Sequence, residues 1–414
     1  MAPAQALARS PALPLPRNCR NVLSLDDFER LARRHLPRPI HAYISGAVED
    51  NASLADNRRA FAELAFRPRV LAGVAQRRLD FELFGQRYSA PFGVAPMGIA
   101  ALSAYRGDIV LAQAAQQAGV PAILSGSSLI RLEDVMAAAP QTWFQAYLPG
   151  DLAQITGLLD RAAAAGVQTL VITVDTPVAA NRENNVRAGF STPLRPSLGL
   201  AWQGATHPRW LLGTFLKTLL RHGMPHFENG YATRGAPILS PNVLRDFSDR
   251  AHLDWSHLAA IRRHWRGKLV VKGILAEEDA VLARRHGADG IIVSNHGGRQ
   301  LDGAVAPLRV LPAIVRAVPG LPVMLDSGVR RGTDVVKALA LGARCVFVGR
   351  PFNYAAAVAS TAGVAHAIAL LRAEVSRDMA MLGITRLADI GPACLRAGPG
   401  WEPLSTTTLA ETHP

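Results

Sequence analysis

The residues best suited to chemistry stand in Val293 to Gly303, VSNHGGRQLDG, where an apolar run from Gly290 to Ser294 opens into His296 and Arg299. A base and a fork-shaped cation three residues apart suit a carboxylate whose neighbouring carbon gives up hydrogen. Gly297 and Gly298 stand between them and let the backbone turn sharply enough for both side chains to face one pocket. An isolated histidine after a strand is usually a polar turn residue. The strand-end position and the nearby arginine favour catalysis here.

SNHGGRQLDG resembles the signature of the FMN-dependent L-2-hydroxy acid oxidising family, which includes glycolate oxidase, L-lactate dehydrogenase and mandelate dehydrogenase. The similarity runs from about Leu25 to about Arg396. It implies a (β/α)8 TIM barrel with an N-terminal helical segment, bound FMN, oxidation of a 2-hydroxy acid and a homotetramer.

The elements that must position the site agree with such a barrel. Short apolar strands are expected at Phe92 to Ala95, Ala122 to Ser125, Trp143 to Tyr147, Thr169 to Thr173, Leu269 to Lys272, Gly290 to Ser294, Val323 to Asp326 and Cys345 to Val348, with amphipathic helices between them. A doubly wound open sheet is the alternative, but APMGIAAL after the first strand is not its glycine fingerprint. Ser24, followed by Asp26 and Asp27, should cap a helix running to about His35. Leu79 to Tyr88 reads as a hairpin plugging one end.

Barrel enzymes keep their chemistry at the C-terminal ends of the strands. Those ends carry Met97 and Gly98, Ser125, Gln145 and Tyr147, Thr173 and Asp175, Lys272, Ser294 with His296 and Arg299, Asp326 with Gly328 and Arg330, and Gly349 with Arg350. Buried cations are costly without partners, so lysine, histidine and arginines on one rim point to an anionic ligand. His296 is the expected base, with Asp175 holding its ring and stabilising the imidazolium, and Tyr147 bonding the substrate oxygen. Arg299 and, by the resemblance, Arg182 clamp the carboxylate.

No nicotinamide fingerprint is present, so the electron acceptor should be a flavin, which the resemblance makes FMN. Lys272 would stabilise the reduced ring, with Gln145, Thr173, Ser125 and Ser294 around it and the backbone at Met97 and Gly98 near N5. Asp326 would bind the ribityl chain. DSGVRRG, with Gly328 and Arg330, and VGRP, with Gly349 and Arg350, would hold the phosphate. Two departures concern the pocket and the final acceptor. Ala42 stands where the family usually has a substrate-touching tyrosine, with Tyr43 one place later, which implies a missing hydroxyl and a roomier pocket, or a substitute supplied from elsewhere. Gly98 stands where alanine tends to accompany oxidases and glycine dehydrogenases.

Composition narrows the alternatives. The chain of 414 residues is 49% hydrophobic and 19% charged, as expected of a globular protein able to bury a large core. Its +13 charge comes with only 6% aromatic residues and no nucleic-acid-binding motif, favouring anionic ligands or a membrane surface over nucleic acid. Cys19, Cys345 and Cys394 form neither a disulfide framework nor a metal site, which suits a reducing, cytoplasmic location. No uninterrupted apolar run of about eighteen residues spans a bilayer. Residues 1–23 and 398–414 read as flexible extensions around a catalytic unit at 24–397.

One connection, about 178–250, is longer than a barrel loop needs and reads as a lid. Within it, Ala201 to Phe227 has Trp202, Trp210, Phe215, Leu219 and Leu220 beside Arg209, Lys217 and Arg221, with no acid. That composition fits either a solvated lid or peripheral contact with the inner face of a membrane, where electrons could pass to a quinone, or else to a protein carrier. A flavoenzyme acting on a larger peptide or aromatic acid, an oxygen-using oxidase and a non-catalytic flavin-binding barrel are the competing expectations.

Overall fold

Eight strands, β1 (Phe92–Val94), β2 (Ile123–Ser125), β3 (Trp143–Ala146), β4 (Thr169–Thr173), β5 (Lys268–Ile274), β6 (Gly290–Val293), β7 (Val323–Leu325) and β8 (Cys345–Val348), form one parallel sheet in the computed structural model. The model describes residues 16–191, 193–242 and 250–398. Each strand pairs with its sequence neighbour from β2 to β8, and β8 pairs back onto β1. The ring closes between β1 and β2 at a single bridge, Val94 to Ala122, with Val94 N–H donating to the Pro121 carbonyl at 2.8 Å. Gly93 permits that approach, since a Cβ there would stand 2.3 Å from the same carbonyl oxygen. Closure excludes the open doubly wound sheet.

Side-chain alternation divides the core. Val171, Val270, Ile292 and Met324 point inward, whereas Leu170, Ile172, Leu269, Val271, Ile291 and Val293 point out to the helices. Burying each such chain is worth about 1.5–3 kcal/mol relative to exposure. The hairpin Phe81–Leu83 and Gln86–Tyr88 closes the barrel floor, with Phe81, Leu83 and Tyr88 joining the inner cluster.

The expected first helix is Leu25–His35, with Ser24 and Asp27 forming a capping box. The helix Arg350–Met381 after β8 is long and apolar enough to cross a bilayer, yet Phe352, Val364, Leu371 and Val375 are buried in the core. It is a core helix bent at Ala359 and Ser360.

The flexible extension expected through residue 23 is corrected over residues 16–23. Arg17–Cys19 forms a turn of 3-10 helix, Cys19 and Val22 are buried, and His366 Nε2 lies 2.9 Å from the Val22 carbonyl oxygen. Two small apolar side chains, with hydrogen bonds from Asn18 to the Val358 carbonyl and from His366 to the Val22 carbonyl, pin this segment to the long helix. Residues 1–15 and 399–414 lie outside the described residues.

The excursion between β4 and β5 contains helices Glu183–Arg187, Leu198–Ala205, Pro208–Trp210 and Lys217–His222, with a π-helical stretch at Leu211–Leu216. Its aromatic residues divide between two environments. Trp202 is 68% exposed, whereas Trp210 is 6% exposed, donates its indole N–H to the Leu102 carbonyl at 2.7 Å and stacks on Phe215. Trp210 and Phe215 therefore anchor the excursion to the barrel rather than belonging to an outward apolar face.

Candidate active site

The turn after β6 needs three consecutive left-handed residues, His296 (φ 57°), Gly297 (69°) and Gly298 (74°). Space is tight at both glycines, and at Gly298 the obstacle is backbone that cannot give way. A Cβ at Gly297 would stand 2.7 Å from an Arg350 guanidinium nitrogen, and one at Gly298 would stand 2.7 Å from the Leu54 amide nitrogen. For His296 the conformation is strained. It is held by the Ser294 hydroxyl, which accepts the His296 N–H at 3.0 Å.

His296 Nδ1 lies 2.9 Å from Asp175 Oδ1 on the turn after β4, and Nε2 lies 3.4 Å from the Tyr147 hydroxyl after β3. Burial lowers the imidazole pKa, and the Asp175 carboxylate only partly offsets it. Burial would raise the Asp175 carboxyl, but His296 and Lys272 outweigh it and leave a net downward shift. The result is a neutral base beside an ionised carboxylate. Lys272, also buried, bonds Asp326 at 3.0 Å and Ser294 at 2.8 Å. Burial disfavours its charge, while Asp326 and then Asp175 raise its pKa overall.

Arginines populate the rest of the rim. Arg299 donates to the carbonyls of Tyr43 and Gly46 at 2.7 and 2.8 Å, and Arg350 donates to those of Ile44, Gly46 and Gly297. Tyr43, Ile44 and Gly46 end the helix Arg38–Ser45, whose unsatisfied carbonyls form a negative terminus for the two guanidinium groups. Neither arginine has a carboxylate partner among the described residues. Burial and then Arg182 lower the Arg299 pKa to about 10; burial, Arg299 and Arg330 lower that of Arg350 to about 9. Arg182 bonds the Arg299 carbonyl and the Gln300 side chain. Such crowding of buried cations is relieved by an anion.

These groups line a cavity of about 510 Å³ with Met97, Gly98, Gln145, Thr173, Asp326, Gly328, Arg330 and Gly349. Three expected residues stand behind the lining. Ser125 donates to Gln145 Oε1 at 3.2 Å, Ser294 links Lys272 to the His296 backbone, and Asp175 backs His296. Their strands aim them at neighbouring side chains instead. Ser127, two residues beyond Ser125, reaches the lining.

Of the two alternatives drawn from Ala42, the geometry bears on the substitute supplied from elsewhere. Tyr43 lines the cavity, and its hydroxyl would lie 3.2 Å from a Cβ added to Gly98. The aromatic is displaced in sequence but present in space, and it brings a hydroxyl to the cavity. The lining also includes Asn185, Phe190, Leu194, Phe227, Ile238 and Arg250, all from the excursion and none carrying a motif that sequence alone could recognise.

A model of the FMN-dependent dehydrogenase family matches residues 32–397. The chain belongs to the FMN-dependent dehydrogenases. It is 37% identical to an (S)-mandelate dehydrogenase of Pseudomonas putida across 91% of this chain and 94% of that one. It is 41% identical to an L-lactate dehydrogenase of Xanthomonas axonopodis pv. citri (strain 306), across 90% and 96%. A crystal structure described as the monotopic membrane protein (S)-mandelate dehydrogenase superimposes with a TM-score of 0.84 at 35% identity, covering 91% of this chain and 100% of that one.

The cavity fits FMN on this chain's own chemistry. Gln145 Nε2 and Thr173 Oγ1 are buried without hydrogen-bond partners among the described residues, although both residues line the cavity. Unsatisfied polar atoms at the mouths of adjacent strands are suited to a polar ring edge. The Arg350 guanidinium at the β8 side, bonded to carbonyls and without a carboxylate partner among the described residues, is suited to a phosphate.

Proposed function

We propose that this flavoenzyme oxidises an L-2-hydroxy acid, lactate- or mandelate-like, to the 2-oxo acid and passes the electrons to a membrane quinone or a protein carrier. The observation that carries the reading is the His296 imidazole held by Asp175 at one nitrogen and facing Tyr147 at the other, in a cavity shared with Arg182 and Arg299. Arg299 and Arg182 hold the carboxylate, Tyr147 bonds the 2-hydroxyl oxygen, and His296 Nε2 accepts a proton. Asp175 stabilises the imidazolium. FMN, when bound, supplies the two-electron sink.

Met97, Gly98, Gln145 and Thr173 would hold the ring, Lys272 would place positive charge against it, and Asp326 would meet the ribityl chain. Gly328, Arg330, Gly349 and Arg350 would hold the phosphate. Ser125 and Ser294 act by positioning Gln145 and Lys272. Val178, Phe190, Leu194, Phe227 and Ile238 form an apolar wall that suits a substrate bulkier than glycolate.

The resemblance to a monotopic membrane (S)-mandelate dehydrogenase supports peripheral attachment to a membrane, and we place that attachment at the cytoplasmic face. So does the outer excursion, where Leu198 and Leu220 are 92% and 86% exposed beside Trp202, Arg209 and Arg221. The test is anaerobic flavin reduction by a panel of 2-hydroxy acids. Rapid bleaching by an (S)-acid with a bulky side chain is expected, and no bleaching by any member would overturn the reading.

A further inference from the structure

Asn185 has no part in the chemistry above, yet it lines the cavity. It is only 8% exposed, and its Oδ1 has no hydrogen-bond partner among the described residues. The residue belongs to the helix Glu183–Arg187, at whose N-terminus Arg182 stands. Its backbone is fixed, because the Asn185 N–H donates to the Arg182 carbonyl at 3.0 Å and its carbonyl accepts the Phe190 N–H at 2.8 Å. The side-chain oxygen reaches toward Gly46, where an added Cβ would stand 3.7 Å from it. Around it the wall is apolar: the Phe190 ring packs on that of Tyr43 with centres 4.7 Å apart, and Leu194 lines the cavity beyond.

We propose that Asn185 is a specificity-determining residue favouring 2-hydroxy acids whose side chain carries a hydroxyl group. This rests on the 2-hydroxy acid reading of the site. Asn185 follows Arg182 by three residues on the same connection, which puts it at the substrate end of the cavity and away from the strand ends that face the ring. A buried carboxamide without a partner is costly unless water or a ligand supplies the bond. An apolar substrate side chain would displace the water and leave the carboxamide unpaired. A hydroxyl restores the bond, and because it both donates and accepts, it does so whichever way the carboxamide is turned. A site that bonds such a hydroxyl discriminates against the analogue lacking it.

The test uses two pairs of acids in which a methyl group replaces the hydroxyl at nearly constant shape: (S)-4-hydroxymandelate with (S)-4-methylmandelate, and (S)-2,4-dihydroxybutyrate with (S)-2-hydroxypentanoate. In at least one pair the wild-type holoenzyme should prefer the hydroxylated acid in kcat/KM. In that pair Asn185→Leu should reduce the ratio of the two values roughly ten- to a hundredfold. Asn185→Ala replaces the leucine variant if the latter does not fold, and Asn185→Asp, which keeps an acceptor, should retain part of the preference. The dissociation constants of the corresponding 2-oxo acids, read from the flavin absorbance shift, should follow the same order without turnover. No wild-type preference in either pair, or a ratio unchanged by removing the carboxamide, overturns the proposal. So does an equal loss for both members of a pair, which would make Asn185 only a support for the wall. If lactate or mandelate bleaches the flavin while neither hydroxylated acid is preferred, this inference fails and the 2-hydroxy acid reading stands. Bleaching by no 2-hydroxy acid at all overturns that reading instead.

Discussion

Asp175→Asn removes one charge from the Asp175–His296 pair, to which we assign the proton transfer, while preserving its shape. Asp175 Oδ1 lies 2.9 Å from His296 Nδ1, and the amide oxygen of asparagine can take that place, so the ring keeps its orientation. What is lost is the charge that steadies the imidazolium. A hydrogen bond to a charged group contributes about 1.5–3 kcal/mol and a neutral one about 0.5–1.5 kcal/mol, leaving a deficit of roughly 1–2 kcal/mol. At about 1.4 kcal/mol per decade, flavin reduction should slow roughly five- to thirtyfold. The Oδ2 atom is buried without a partner, so an amide nitrogen there adds an unsatisfied donor and pushes the loss toward the upper end.

The pH profile carries the sign. His296 must be neutral to accept a proton, so kcat/KM rises with pH through its pKa. Burial already lowers that pKa and Asp175 opposes the shift, so Asp175→Asn should move the acidic limb to lower pH. Stopped-flow reduction under anaerobic conditions across the pH range measures both effects. A lower plateau reached at a lower pH is the expected signature. A plateau within about twofold of wild type, or an acidic limb that stays put or moves up, would refute the assignment of base and partner.

Two further substitutions test other parts of the fold. Burial raises the Asp108 carboxyl to about 7, and its Oδ2 has no partner. With an unfolded value of about 3.9, the wild type loses stability as pH rises from about 4 to about 7, because the unfolded chain ionises first. Asp108→Asn should therefore raise Tm by a few degrees above the upper limit and hardly at all below the lower, by scanning calorimetry; an equal gain at both pH values would count against it. The paired change Trp202→Glu with Leu220→Glu should weaken co-sedimentation with anionic vesicles and slow turnover with a quinone analogue, while soluble-dye turnover holds. Unchanged vesicle binding, or fast peroxide production by a wild type that binds no lipid at low salt, would remove the membrane proposal.

The barrel was legible because parallel strands covered on both faces must be continuously apolar; Thr169–Thr173 and Cys345–Val348 match their expected bounds residue for residue. His296 and Arg299 were legible because strand ends must carry polar residues where a ligand sits. Register within a turn was less legible. One residue decides whether Ala42 or Tyr43 faces the cavity, and two decide between Ser125 and Ser127, and these choices depend on helix rotation and turn geometry beyond any local pattern. Arg250, Phe227 and Ile238 reach the cavity from an excursion without periodicity, so only tertiary packing brings them there. Cys19 and Val22 were hidden among prolines and arginines that read as solvent-exposed.

The closure of the ring has a consequence for how the protein could breathe. Seven of the eight junctions are paired strands, whereas β1 and β2 meet at one bridge that depends on the bare backbone of Gly93. Local opening begins where the fewest hydrogen bonds must break together. The loop carrying Met97 and Gly98 hangs directly from that junction. The amide of Val94 should therefore exchange with deuterated solvent ahead of those in β4 and β5, and a bound ring pressed against the loop should slow it. Exchange at Val94 that slows when FMN is added would tie flavin retention to the integrity of this one junction of the barrel.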